Sequence, residues 1–123
     1  MSEKICVVIV TFNNVSMLAN LLKDLHIQSR LPDEVIVVDN ASLDQTESMV
    51  QVNYPAVNYI KLAENLGSAG GYYEGIKRAA ESSDFIYTLD DDVCLKPDTL
   101  SEIIKGFYLL EKLSPSKIAA VRS

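Results

Sequence analysis

The chain has 123 residues, 48% of them apolar, with a formal net charge of -6. That length holds one domain with a proper core and is too short for two, and no apolar run approaches the ~20 residues that span a bilayer. The negative balance argues against a nucleic-acid partner, which needs a basic face, while Cys6 and Cys94 make neither a disulfide framework nor a zinc site.

The elements alternate regularly. Residues 5–10 (ICVVIV) form a continuous β-branched run that suits a strand buried on both faces, and no signal peptide is expected ahead of it. Beyond Thr11, Phe12, Asn13 and Asn14, the residues Leu18, Leu21, Leu22 and Leu25 fall on one helical stripe. The stretch 28–33, with Pro32, ends that helix. A second buried strand over 35–38 closes at Asp39, and Ser42 and Asp44 are both N-cap candidates for a short helix over 46–52. A third strand is expected over 57–62. The loop 64–71, which carries three glycines, then leads into a helix whose inner face is expected at Tyr72, Ile76, Ala79 and Ala80. A fourth strand over 85–89 ends at Asp90, Asp91 and Asp92. Pro97 and Asp98 open a helix with Leu100, Ile103, Ile104 and Phe107 facing inward, and 118–121 (IAAV) begins a fifth strand.

Repeated strand–helix units with apolar strands predict an α/β domain: a parallel sheet with helices on both faces, built from residues 1–123 as a single unit. Ligands of such sheets bind beyond the carboxyl ends of the strands. That edge collects four segments: Thr11-Phe12-Asn13, Asp39-Asn40, the loop from Asn65 through Gly67 to Gly71, and Asp90-Asp91-Asp92. Adjacent carboxylates repel one another, and a divalent cation removes that cost. In an extended segment Asp90 and Asp92 face one way and Asp91 the other, so the first and third can share a Mg²⁺ or Mn²⁺ that keeps waters and takes phosphate oxygens. The competing reading is a solvated acidic turn ahead of the helix that starts near Asp98.

Asp39 is placed to accept from a ribose hydroxyl or a base N–H, or else to cap a turn. No glycine fingerprint follows the first strand, which argues against a nicotinamide or flavin dinucleotide. The glycine-bearing loop brings backbone amides to a helix N-terminus, an arrangement that favours a diphosphate. His26, Lys77 and Arg78 read as surface residues and Cys6 as core.

Taken together, residues 7–13 (VVIVTFN), 38–42 (VDNAS), 64–67 (ENLG) and 89–92 (LDDD) resemble the family-2 glycosyltransferases of GT-A fold, in order and spacing. Residues 70–75 (GGYYEG) and the acidic triple are most similar to galactofuranosyltransferase-like and rhamnosyltransferase-like members. The resemblance implies a Rossmann-like nucleotide-binding half and a hexosyltransferase-type activity in cell-surface polysaccharide synthesis. It implies a UDP- or dTDP-sugar donor and a saccharide or lipid-linked acceptor. Thr11 and Phe12 would line the base pocket with Asn13 and Asn40 nearby, Asp39 would accept from the base, and Asn65 and Gly67 would border ribose and diphosphate. Asp90 would face the ribose and the metal, Asp92 would bind the metal, and Asp91 is the variable position of the D-x-D motif.

In that family the catalytic base lies in a further C-terminal part, so no catalytic residue is expected within 1–123. The fragment is expected to be inactive alone and to self-associate. A cytoplasmic location, peripheral at the inner face of the membrane for a longer protein, is expected. A sugar-nucleotide-binding regulatory module and a receiver-type phospho-acceptor domain are the alternatives.

Overall fold

The computed structural model describes residues 3–113. The expected fifth strand over 118–121 lies outside the described residues. Four strands form one parallel sheet in the order β3-β2-β1-β4: β1 Ile5–Thr11, β2 Glu34–Asp39, β3 Asn58–Lys61 and β4 Phe85–Asp90. The helices are α1 Val15–His26, α2 Thr46–Asn53, α3 Gly67–Ala79 and α4 Thr99–Leu113.

Strand side chains point alternately to the two faces, and the two cores follow that alternation. Val7, Ile9, Val35 and Val37 pack with Leu18, Leu21, Leu22 and Leu25 of α1, Val50 of α2 and Leu100 of α4. Cys6, Val8, Val10, Ile36 and Val38 face the other way, against Ala79 of α3. Both faces of β1 and β2 are therefore covered, which is what their unbroken apolar runs require. β3 and β4 lie at the edges of the described sheet and are only partly buried.

The face of α3 differs from the one expected. Its buried residues are Gly71, Gly75 and Ala79, while Tyr72 is half-buried and Ile76 and Ala80 are exposed. The reason is distance. A Cβ on Gly75 would stand 2.4 Å from Val8 Cγ1, and one on Gly71 would stand 2.7 Å from Val10 Cγ1. The helix backbone therefore lies directly on β1, nearer than any leucine would allow.

The segment after β4 is tied to α1. Gln28, buried at the end of α1, donates through Nε2 to the Lys96 carbonyl at 2.7 Å and accepts at Oε1 from the Leu100 N–H at 3.1 Å. Asp24 Oδ2 accepts from the Leu95 N–H at 2.9 Å. These bonds fix the exit of β4 and with it the acidic triple. No helix among the described residues is long and apolar enough to cross a membrane.

Candidate functional site

An open cavity of about 420 Å³ lies at the carboxyl edge of the sheet. Its walls come from four loops. Val10, Thr11, Phe12 and Asn14 belong to the β1–α1 connection and Asn40 to the end of β2. Asn65, Gly67 and Ser68 start α3, and Asp90, Asp91 and Asp92 end β4.

At the end of β1, Thr11 is buried and its Oγ1 donates to Asp91 Oδ2 at 2.8 Å. Asn14 Nδ2 donates to Asp91 Oδ1 at 3.0 Å. Phe12 is 45% exposed and offers its ring to the cavity. Asn13 does not line the cavity. With φ at 48° it occupies the left-handed region, where asparagine is among the tolerated residues. Its N–H donates to Ser42 Oγ and its Oδ1 accepts from the Leu43 N–H, which fastens the loop after β2.

Asp39 also stands off the cavity wall. Its side chain is wholly enclosed, Oδ1 accepting from the Ser42 N–H at 2.8 Å and Oδ2 from the Tyr59 hydroxyl. The expected reach of Asp39 to a base N–H is not present in this arrangement. A carboxylate cut off from water takes donors from its own surroundings, and Tyr59 on the neighbouring β3 supplies one. Burial first, then the bond to Asp39, holds the Tyr59 phenol far above its ordinary value, so it remains a neutral donor.

Asn40 is buried and works in both directions at once. Its Nδ2 donates to the Gly67 carbonyl and its Oδ1 accepts from the Leu66 N–H, each at 3.1 Å. Asn65 Oδ1 accepts from the Gly67 N–H at 2.8 Å. Gly67 has φ at 76°, a conformation that favours glycine. These contacts seat the start of α3, with Gly67 and Ser68, at the cavity wall.

β4 ends at Asp90 and the chain turns, so all three aspartates border the cavity. Asp91 turns toward Thr11 and Asn14, and Asp90 Oδ1 accepts from the Tyr72 hydroxyl at 2.5 Å. Asp92 is exposed. Burial, then the hydrogen bond to Asp90 and the charges of the triple, raise the Tyr72 phenol well above its ordinary value and keep it a donor.

Three carboxylates line this cavity, and no lysine or arginine is among its described lining residues. An anionic ligand therefore needs a cation, the α3 amides, or both. Among the described residues no group of three or more His, Cys, Asp or Glu is arranged to enclose a metal ion unaided. The donor set suits instead a hard divalent cation held by one or two carboxylates, with water and ligand oxygens completing its shell.

The family model of Glycosyl transferase family 2 matches residues 6–112. The chain belongs to this family. Membership displaces the receiver-type alternative. Galactofuranosyltransferase GlfT1 of Mycolicibacterium smegmatis is 37% identical over 92 residues, which cover 74% of this chain and 30% of that protein. Mannosyltransferase PcManGT from Pyrobaculum calidifontis, solved in complex with GDP-Man and Mn²⁺, superposes with a TM-score of 0.77 at 26% identity, over 85% of this chain and 32% of its own. S. aureus TarS in complex with UDP-GlcNAc superposes with a TM-score of 0.75 at 27% identity, over 89% and 32%. The chain thus spans about a third of the length of the relatives it matches.

The expected residues Thr11, Phe12, Asn40, Asn65, Gly67 and the three aspartates meet in one cavity, while Asn13 and Asp39 stand behind it. The contacts made by Asn14, Ser42, Tyr59 and Tyr72 at this edge were not among the expected site roles. Asn14 directly adjoins the Thr11-Phe12-Asn13 segment, and Ser42 and Tyr72 lie in the segments 38–42 and 70–75. Tyr59 left no local signal.

Proposed function

We propose that this chain forms the donor-binding part of a metal-dependent glycosyltransferase that takes a UDP- or dTDP-sugar and passes the sugar to a hydroxyl of a saccharide or lipid-linked acceptor. The observation that carries this reading is one cavity walled by an open aromatic ring, a helix N-terminus and three carboxylates. The Phe12 ring offers a stacking surface for a nucleobase. Amides of the first turn of α3 approach the diphosphate. Asp90 and Asp92 would hold Mg²⁺ or Mn²⁺, whose chemistry is to neutralise the departing nucleoside diphosphate. Similar proteins solved with GDP-Man and Mn²⁺ and with UDP-GlcNAc support a nucleotide-diphosphate sugar as the donor class, and the choice of a pyrimidine base is our own reading.

His26 lies at the far end of α1 beside Tyr54, away from this edge, and Asp90 and Asp92 are taken up by the cation in this reading. On that reading residues 1–123 bind the donor without turning it over, and a group outside this cavity deprotonates the acceptor.

Calorimetric titration of the chain with UDP, in Mn²⁺ and in EDTA, tests the reading. Binding should require the metal, and Asp92→Ala should weaken it by more than about tenfold, roughly 1.4 kcal/mol. Equal UDP affinity in EDTA and Mn²⁺ would overturn the metal role. An equal affinity for ADP would overturn the pyrimidine preference. Sugar transfer from a UDP-sugar by the isolated chain would overturn its inactivity.

A further inference from the structure

The first two aspartates of the triple are held by neutral donors from other elements, and the two are held differently. Asp91 is clasped at both oxygens by Thr11 and Asn14, from the loop that follows its neighbouring strand. Asp90 has a single donor among the described residues, the Tyr72 hydroxyl on Oδ1. Its Oδ2 has none there.

The position of Tyr72 is set by the sheet. Gly71, immediately before it, lies so close to Val10 that a Cβ would collide at 2.7 Å. Val10 is in turn the ladder partner of Asp90. Tyr72 is half-buried and packs against the core face formed by Cys6, Val8 and Val10. The glycine contact fixes the helix, the helix fixes the ring, and the ring presents its hydroxyl to the end of β4.

A lone carboxylate on a partly exposed turn beside two like charges would swing away from them. A single neutral donor on one oxygen restrains it without cancelling its charge and leaves the second oxygen for a cation. We infer that Tyr72 is a positioning residue whose hydroxyl holds Asp90 in readiness for the divalent cation. The inference rests on the metal-binding reading above. It assigns Tyr72 a role in cation affinity rather than in nucleotide contact, because Tyr72 does not line the cavity.

The test is Tyr72→Phe, which removes the hydroxyl and keeps the ring. The half-saturating Mn²⁺ concentration for UDP binding should rise by roughly two- to tenfold, the range expected for one lost hydrogen bond. UDP affinity at saturating Mn²⁺ and the ligand-free melting temperature should match the wild type, which a purely structural ring would not predict for Mn²⁺ alone. An unchanged or lower Mn²⁺ requirement in Tyr72→Phe, with the wild type metal-dependent, overturns the positioning role and leaves the metal site standing. A wild type that binds UDP equally in EDTA overturns both. A fall in melting temperature that accounts for the weaker binding, with UDP affinity reduced equally at all Mn²⁺ concentrations, also overturns it.

Discussion

Two acidic strand ends lie at the same edge of this sheet and behave in opposite ways. Asp39 closes β2 in the middle of the sheet, wholly enclosed, with both oxygens satisfied by Ser42 and Tyr59. Asp90, Asp91 and Asp92 close β4 at the edge, around an open cavity. A carboxylate with no water must be matched by protein donors and so becomes a structural tie. Carboxylates at an open edge keep unused acceptor capacity and so become available to a ligand. Asp91 is intermediate: it borders the cavity but is clasped at both oxygens.

Folding stability, measured from urea unfolding midpoints, is the quantity that should separate these aspartates. Asp39→Ala strands the Ser42 N–H and the Tyr59 hydroxyl and should cost about 3 kcal/mol, the sum of two unsatisfied donors. A loss below about 1 kcal/mol would show that Asp39 is not a structural tie and would return it to the cavity. Asp91→Ala frees Thr11 and Asn14, the second of them less enclosed, and should cost about 1–2 kcal/mol.

Asp44 tests the loop after β2 by pH. Its carboxylate accepts from the Thr46 N–H and hydroxyl and from the Val15 N–H. Desolvation is the largest single influence and pushes its pKa up, but the hydrogen bonds from Thr46, Val15 and its own backbone together outweigh it and hold it below the ordinary value of 3.8. A depressed folded-state pKa means stability that is present above the unfolded value and lost as pH falls below it. Gln45, not Asp44 or Ser42, holds the N-cap position of α2, and Asp44→Ala should cost about 1 kcal/mol at neutral pH, as for a typical hydrogen bond, with the difference from wild type shrinking as pH drops below the ordinary carboxylate range. A gap that persists at acid pH would remove the charge from the explanation. Asp92→Ala should leave unfolding within about 0.5 kcal/mol of wild type in EDTA, as at other surface positions. A larger loss would place Asp92 with Asp39 among the structural ties.

Much of the fold around this contrast was legible in the sequence, the contrast itself was not, and both outcomes have physical causes. The runs at 5–10 and 35–38 are apolar at every position because both faces of β1 and β2 are covered, and the four leucines of α1 fall on one stripe. The edge that gathers the polar loops followed from the parallel topology. The inner face of α3 was placed in part: Ala79 and Tyr72 face the sheet, but Gly71 and Gly75 were passed over because apolar patterning looks for large side chains, while this helix is seated by glycines. Asp39 and Asp90 look alike in sequence because each simply ends a strand. Each takes a tyrosine hydroxyl brought in by the fold, and what separates them is exposure: Asp39 is buried and bonded at both oxygens, while Asp90 is exposed and bonded at one among the described residues. The donors that hold Asp91 were not legible, because Thr11 and Asn14 lie about 80 residues earlier in the chain and are brought to it only by the pairing of β1 with β4.

The seating of α3 on β1 has a consequence for how tolerance to mutation would be read. Gly75 touches no ligand-lining residue and carries no functional group, yet a methyl there would stand 2.4 Å from Val8 and 3.0 Å from Val38. Relief of that clash requires the helix to rise from the sheet, and its first turn, with Gly67 and Ser68 on the cavity wall, is part of the same rigid rod. In a saturation scan selected for donor binding, position 75 would accept little but glycine and would be scored as an active-site residue. The selection there acts on the height of a helix above its sheet.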